Sequence, residues 1–192
     1  MKVISIISVF ILVIGVALAD NNQQKDLCDM QNKINEIVKR FTPKGQTVVK
    51  NLFLNLQNQF SNVLQKMYAN IKSDNTDVLA NLTAAEGDKI EKFWNAIGFN
   101  NNTVFSNQQL VDLCQLKTTV LSSLNALQPS SRATIVQLFI PALKDSKTDF
   151  QNIGTNFKPK AEAAFKELRK TEKTRNILAL KNFLESFQKE NF

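Results

Sequence analysis

The chain has no histidine and, among its 192 residues, only two cysteines, five glycines, four prolines, one tryptophan and one tyrosine. Without an imidazole, the commonest general base, proton shuttle and zinc ligand are missing, and most enzyme mechanisms go with them. So few glycines do not suffice for the primed turns of a hairpin-rich β protein or for a glycine-lined nucleotide loop. No Asp-rich loop of calcium-binding spacing occurs either. The acidic cluster Glu86, Asp88 and Glu91 falls where a helix N-terminal turn favours negative charge, so it reads as capping rather than as a carboxylate pair for acid–base work. The expectation is a protein that is not an enzyme and carries no metal or cofactor.

What remains points to helices. Hydrophobic residues make up 43% of the chain and charged residues 21%, a globular composition of a length that fits one domain. Lys2 precedes an apolar run from Val3 to Val16 that ends in Ala17-Leu18-Ala19. That pattern predicts a secretory signal peptide over residues 1–19, removed before Asp20, and a mature single helical domain over 20–192. The run is shorter than the about 20 apolar residues a bilayer span needs. A secreted, extracellular monomer is expected. In an oxidising compartment the only two thiols, Cys28 and Cys114, are expected to form a disulfide, with two buried thiols or an intermolecular bridge as alternatives. A loop of that length is worth on the order of 4 to 5 kcal/mol in the chain-entropy account.

Apolar spacing predicts an all-α, single-domain bundle of about seven amphipathic helices. The longest stripe runs Val49, Leu52, Phe53, Leu56, Phe60, Val63, Leu64, Met67 and Ile71, alternating threes and fours along one face. A shorter one from Leu27 to Phe41 precedes it. A third passes through Ile90, Phe93, Trp94 and Ile97 and stops at Gly98, where glycine easily takes a left-handed cap. Leu110 to Leu124 forms a fourth, interrupted by Lys117. The stripe from Ile135 to Phe157 keeps phase through Pro141 and predicts one long helix kinked there. Pro159 to Lys170, and Arg175 to about Lys189, complete the set.

Four helix openings look alike: Phe41-Thr42-Pro43, Leu82-Thr83-Ala84, Leu127-Gln128-Pro129 and Phe157-Lys158-Pro159. Proline suits the first turn, and an apolar residue just outside can staple back onto the helix. Eight positions on stand Val49, Ile90, Ile135 and Phe165. The intervals between openings are too uneven for a stacked solenoid. In Leu82-Thr83-Ala84-Ala85-Glu86 and Leu127-Gln128-Pro129-Ser130-Ser131-Arg132-Ala133 the chain resembles the nematode secreted fatty-acid- and retinol-binding proteins, whose helices open with related phrases. The likeness covers about a third of the chain; the cysteine pair and the Asn-rich loops depart from that family. It implies a helical wedge around an apolar cavity, with no catalytic residues to carry over.

Fourteen aromatic residues are Phe, against the single Trp94 and Tyr68. An interior built this way has large apolar surface and few hydroxyl or indole groups to satisfy. Phe53, Phe60, Phe93, Phe139, Phe150 and Phe157 are the candidate lining for a fatty acid or other apolar small molecule, and each also reads as ordinary core. Between Lys158 and Arg175 cations outnumber carboxylates, and Lys166, Arg169 and Lys173 share a helix face. Lys166 and Arg169 are candidates for holding a ligand carboxylate, and the segment for transient contact with an anionic membrane surface. A solvated face with pairs such as Glu162–Lys166 is the plainer reading. Nucleic acid is a poor partner, since no aromatics are interleaved for stacking. Asn81 and Asn101 fit the N-glycosylation pattern, and both are expected in loops. The function these features favour is a non-catalytic carrier of an apolar small molecule. The alternative is a secreted helical effector that binds a protein receptor through its surface.

Overall fold

A computed structural model describes residues 25–100 and 109–191; the segment 1–19 expected to be a signal peptide and the expected glycosylation site Asn101 lie outside them. Eight helices occur among the described residues, with no strand: α1 (Lys25–Lys39), α2 (Pro43–Asp74), α3 (Thr76–Glu86), α4 (Asp88–Ala96), α5 (Leu113–Asn125), α6 (Pro129–Asp145), α7 (Lys147–Leu168) and α8 (Thr174–Asn191). None is long and apolar enough to cross a membrane.

The axis of the bundle is α2, the helix with the most regular apolar stripe. Its start follows from local chemistry: Thr42 is extended, its hydroxyl accepts from the Gly45 amide, and Pro43 occupies the first helical position, where a missing N–H costs nothing. Every member of the stripe from Val49 to Ile71 is buried, each contributing roughly 1.5 to 3 kcal/mol of burial. Against this stripe pack α7 and, less extensively, α6 and α1; α5 lies against α4 and α1. The Cys28–Cys114 disulfide forms, with Cα atoms 4.6 Å apart, and ties α1 to α5.

Three boundaries differ from those the sequence predicts. Residues Thr76–Glu86 form α3, so Leu82-Thr83-Ala84 closes a helix instead of opening one; α4 begins after Gly87, whose φ of 53° is a left-handed value that only glycine takes without strain. Pro159 opens nothing and sits inside α7. The stripe from Ile135 to Phe157 is divided at Ser146, five residues past Pro141, into α6 and α7. A proline leaves the carbonyl four residues earlier without its helical donor. Those residues, Gln137 and Thr155, are exposed, so water can serve their carbonyls and the helices continue. The stop at Gly98 occurs as expected, with φ 73°.

Two long-range caps fix the bundle. Neither α6 nor the Gln128 before it has a side-chain cap of its own. Glu86, the last residue of α3, supplies one: its carboxylate accepts from the Gln128 amide at 2.9 Å and from the Ser131 hydroxyl. Although the residue is only 7% exposed, these bonds hold its pKa below the ordinary glutamate value, the Ser131 bond first, against the opposing effect of burial; Gln128 and Lys89 add to the lowering. At the start of α2 Glu172 accepts from the Thr42 amide at 3.2 and 3.3 Å and from the Thr42 hydroxyl. Both proline-led helices, α2 and α6, are thus capped by a glutamate from another element.

Candidate functional site

All six candidate lining residues are buried: Phe53, Phe60, Phe93, Phe139, Phe150 and Phe157. They do not face one another as a single ring. Phe60 stacks on Phe150 with centroids 6.2 Å apart, and Phe53 meets the half-buried Phe183 of α8 edge-on at 6.0 Å. Phe93 contacts Trp94 at 5.1 Å, and Phe139 contacts Tyr68, Trp94 and Phe99 at 6.1 to 6.5 Å. Such edge-on and offset arrangements add roughly 0.5 to 1.5 kcal/mol per pair beyond burial.

Beneath this aromatic cluster the turn that ends α4 is satisfied by α2. Gln65 donates to the Gly98 carbonyl at 3.3 Å, Tyr68 to Ile97 at 2.8 Å, and Lys72 to Phe99, over whose ring its ammonium also sits at 4.6 Å. The three donors stand three and four residues apart, hence on one face of α2, and meet three successive carbonyls left free by the helix end. Burial raises the Tyr68 phenol well above its usual pKa.

The sequence gives no sign of a groove that lies beside this turn. Its volume is about 390 Å³, and its lining comes from the end of α4 (Asn95, Ala96), the strap 109–112 and α5 (Gln115, Leu116, Thr119). The strap is held by bonds between side chain and backbone: Gln57 donates to the Gln109 carbonyl at 3.0 Å and accepts from the Val111 amide at 2.8 Å. The adjoining Leu113 amide donates to the Gln31 side chain at 3.1 Å. The one charged group on the lining, Asp112, is engaged as the cap of α5, accepting from the Gln115 amide at 2.9 Å. The floor is apolar, with Ala96 and Leu116 both part of the main core. None of the six phenylalanines lines this groove, and neither do Lys166 or Arg169.

Lys166 and Arg169 are exposed at the end of α7, while Leu168 between them is fully buried. The pairing of Glu162 with Lys166 is not among the ion pairs of the described residues, which include Lys66–Asp149 and Lys181–Glu185. Asn81 is exposed but lies inside α3, not in the expected loop. Leu82 anchors that helix to the core, and the Thr83 hydroxyl donates to the Leu79 carbonyl within it. Among the described residues no cluster of Cys, Asp and Glu could hold a metal ion. No family model, curated protein or solved structure matches the chain.

Proposed function

We propose that the chain is a secreted, non-catalytic carrier of a fatty acid or similar apolar small molecule, with the groove beside α5 as the entry and the phenylalanine-rich interior behind it as the seat. The observation that carries the reading is the groove's floor. Ala96 and Leu116 belong to the groove and to the core at once, so an acyl chain lying there continues an apolar surface inward. The volume falls in the range of small-molecule sites, about 300 to 1,000 Å³. The interior offers little to a polar ligand: among the described residues its buried polar groups are those of Ser61, Glu86, Ser131, Ser146 and Tyr68, with Glu86 and Ser131 bonded to each other and Tyr68 to the Ile97 carbonyl. Secretion is supported by the signal-like segment 1–19 and by a disulfide of the kind that persists in oxidising compartments.

The test is saturable binding of an environment-sensitive fluorescent fatty acid, with displacement by oleate. Thr119→Trp, at an exposed position on the rim, is expected to block the groove and weaken binding at least tenfold while leaving the fold intact. Absence of saturable binding to the folded wild-type chain, or unchanged binding by Thr119→Trp, overturns the reading. The burial of all six phenylalanines, five of them in ring contact with another aromatic side chain, favours the second reading, a helical interaction protein with a filled core. In that case recognition falls to polar and charged surface, because the exposed large hydrophobics among the described residues are Ile140 and Leu178, too few for a wide apolar patch.

A further inference from the structure

The Glu172 cap has a consequence for surface charge. It joins the end of α7 to the turn between α1 and α2, and a second bond, from the Asn176 side chain to the Arg40 carbonyl at 2.6 Å, closes the same junction. Two cationic stretches far apart in sequence are thereby brought side by side. Lys39, Arg40 and Lys44 come from one; Arg169, Lys170, Lys173 and Arg175 come from the other. All seven are exposed, and none forms an ion pair among the described residues. The carboxylate between them, Glu172, is turned onto Thr42 and keeps its charge, so that with Glu36 and Glu167 on the adjoining turns three acids stand against the seven cations. Like charges gathered without partners repel one another and raise a strong local potential, which an anionic partner relieves.

We infer that this junction is a docking surface for a linear sulfated polysaccharide. The inference does not depend on the apolar-carrier reading. A lipid bilayer fits less well, because an interfacial helix must bury several apolar side chains among its cations, and here Leu168 is wholly buried and Phe165 packs against the core, which leaves Leu178, one turn past Arg175, as the exposed large hydrophobic beside the cations. A polymer that presents sulfates at intervals, with no apolar interior to enter, needs only the array of cations.

The test uses the full chain on immobilised heparin, eluted with increasing sodium chloride. Two triple variants, Lys39→Gln/Arg40→Gln/Lys44→Gln and Lys170→Gln/Lys173→Gln/Arg175→Gln, are each expected to bind about tenfold or more weakly. The slope of log affinity against log salt should fall by roughly one per cation removed, as for other polyanions that release counterions. The control Lys50→Gln/Lys89→Gln/Lys92→Gln removes the same charge at exposed positions elsewhere and is expected to elute with the wild type. Every replaced side chain is exposed, so helical content should be unaltered by circular dichroism. An equal loss in the control would assign retention to net charge alone and overturn the proposal. Binding to phosphatidylserine vesicles without retention on heparin would overturn it in favour of a membrane.

Discussion

The Glu172 carboxylate occupies the space that a side chain on Gly45 would need: a Cβ there would stand 2.1 Å from Oε1 and 2.7 Å from Cδ, with Phe41 Cβ at 3.1 Å on its other side. Glycine in the first turn of α2 is therefore what lets a cap of that helix arrive from a residue 130 positions away.

This relationship reverses a familiar substitution. Gly→Ala inside a helix ordinarily stabilises by about 0.5 to 1 kcal/mol. In Gly45→Ala the methyl displaces Glu172 and forfeits a cap worth roughly 0.5 to 2 kcal/mol, so thermal unfolding should show no gain or a lower Tm. With Glu172→Ala already in place the cap is gone, and adding Gly45→Ala is expected to recover the normal helix gain. A double-mutant cycle by chemical denaturation measures this coupling, and additive effects would show that the two residues do not compete.

Glu86 predicts a dependence on acid. Its folded-state pKa lies below the ordinary glutamate value, so the stability it contributes is complete above that value and is lost as pH falls through the lower, folded one. Glu86→Gln should flatten this part of the stability–pH curve, as followed by denaturant titrations through the acid range. Glu86→Ala, which leaves the buried Ser131 hydroxyl and the part-buried Gln128 amide without their acceptor, should cost about 1 to 3 kcal/mol at neutral pH. If both variants match the wild type at every pH, the long-range cap of α6 contributes nothing.

Much of the architecture was legible because it is local. The period of α2 is written in about six consecutive turns of apolar spacing, from Val49 to Ile71, and Thr42-Pro43 announces its start. The features missed are those set by distant partners. Helix α3 offers only Val78, Leu79 and Leu82 as an apolar signal, and its end is fixed by Gly87. Pro159, expected to open a helix, stays inside one because Thr155, whose carbonyl loses its donor, faces solvent, a fact of tertiary packing, whereas the passage of a helix through Pro141 was legible from the unbroken stripe. Glu86 belongs to the acidic cluster by sequence, yet it caps a helix that begins 42 residues later. The groove was invisible for the same reason, since Gln57 and Gln31 build it by holding a strap from the other half of the chain.

Tyr68, the only tyrosine, gives a titration free of overlap. Its raised pKa means that the unfolded phenol ionises first, so the associated stability is fully present below the ordinary tyrosine pKa and is lost as pH rises towards the folded value. Phenolate absorbance should therefore appear together with loss of helical signal, not before it. Tyr68→Phe removes the donor to the Ile97 carbonyl and is expected to cost about 1 to 3 kcal/mol while abolishing the absorbance change. Phenolate forming in a still-folded chain would contradict the buried bond.

The disulfide can be weighed against the noncovalent contacts it accompanies. It joins Cys28 near the start of α1 to Cys114 in the first turn of α5, across 86 positions, and α1 and α5 also pack directly. Both cysteines are half-buried, so serine in their place strands little polar surface. Removing a long-loop crosslink typically costs about 2 to 5 kcal/mol, largely through the unfolded chain. Because Val38, Ile37 and Phe41 remain buried in the core, the Cys28→Ser/Cys114→Ser variant is expected to stay helical with a lowered Tm rather than to unfold. Its denaturant slope should rise, since an uncrosslinked chain exposes more surface on unfolding. Peptide mapping without reduction must recover the Cys28–Cys114 pair from the wild type, and free thiols there would remove the crosslink while leaving the helices in place.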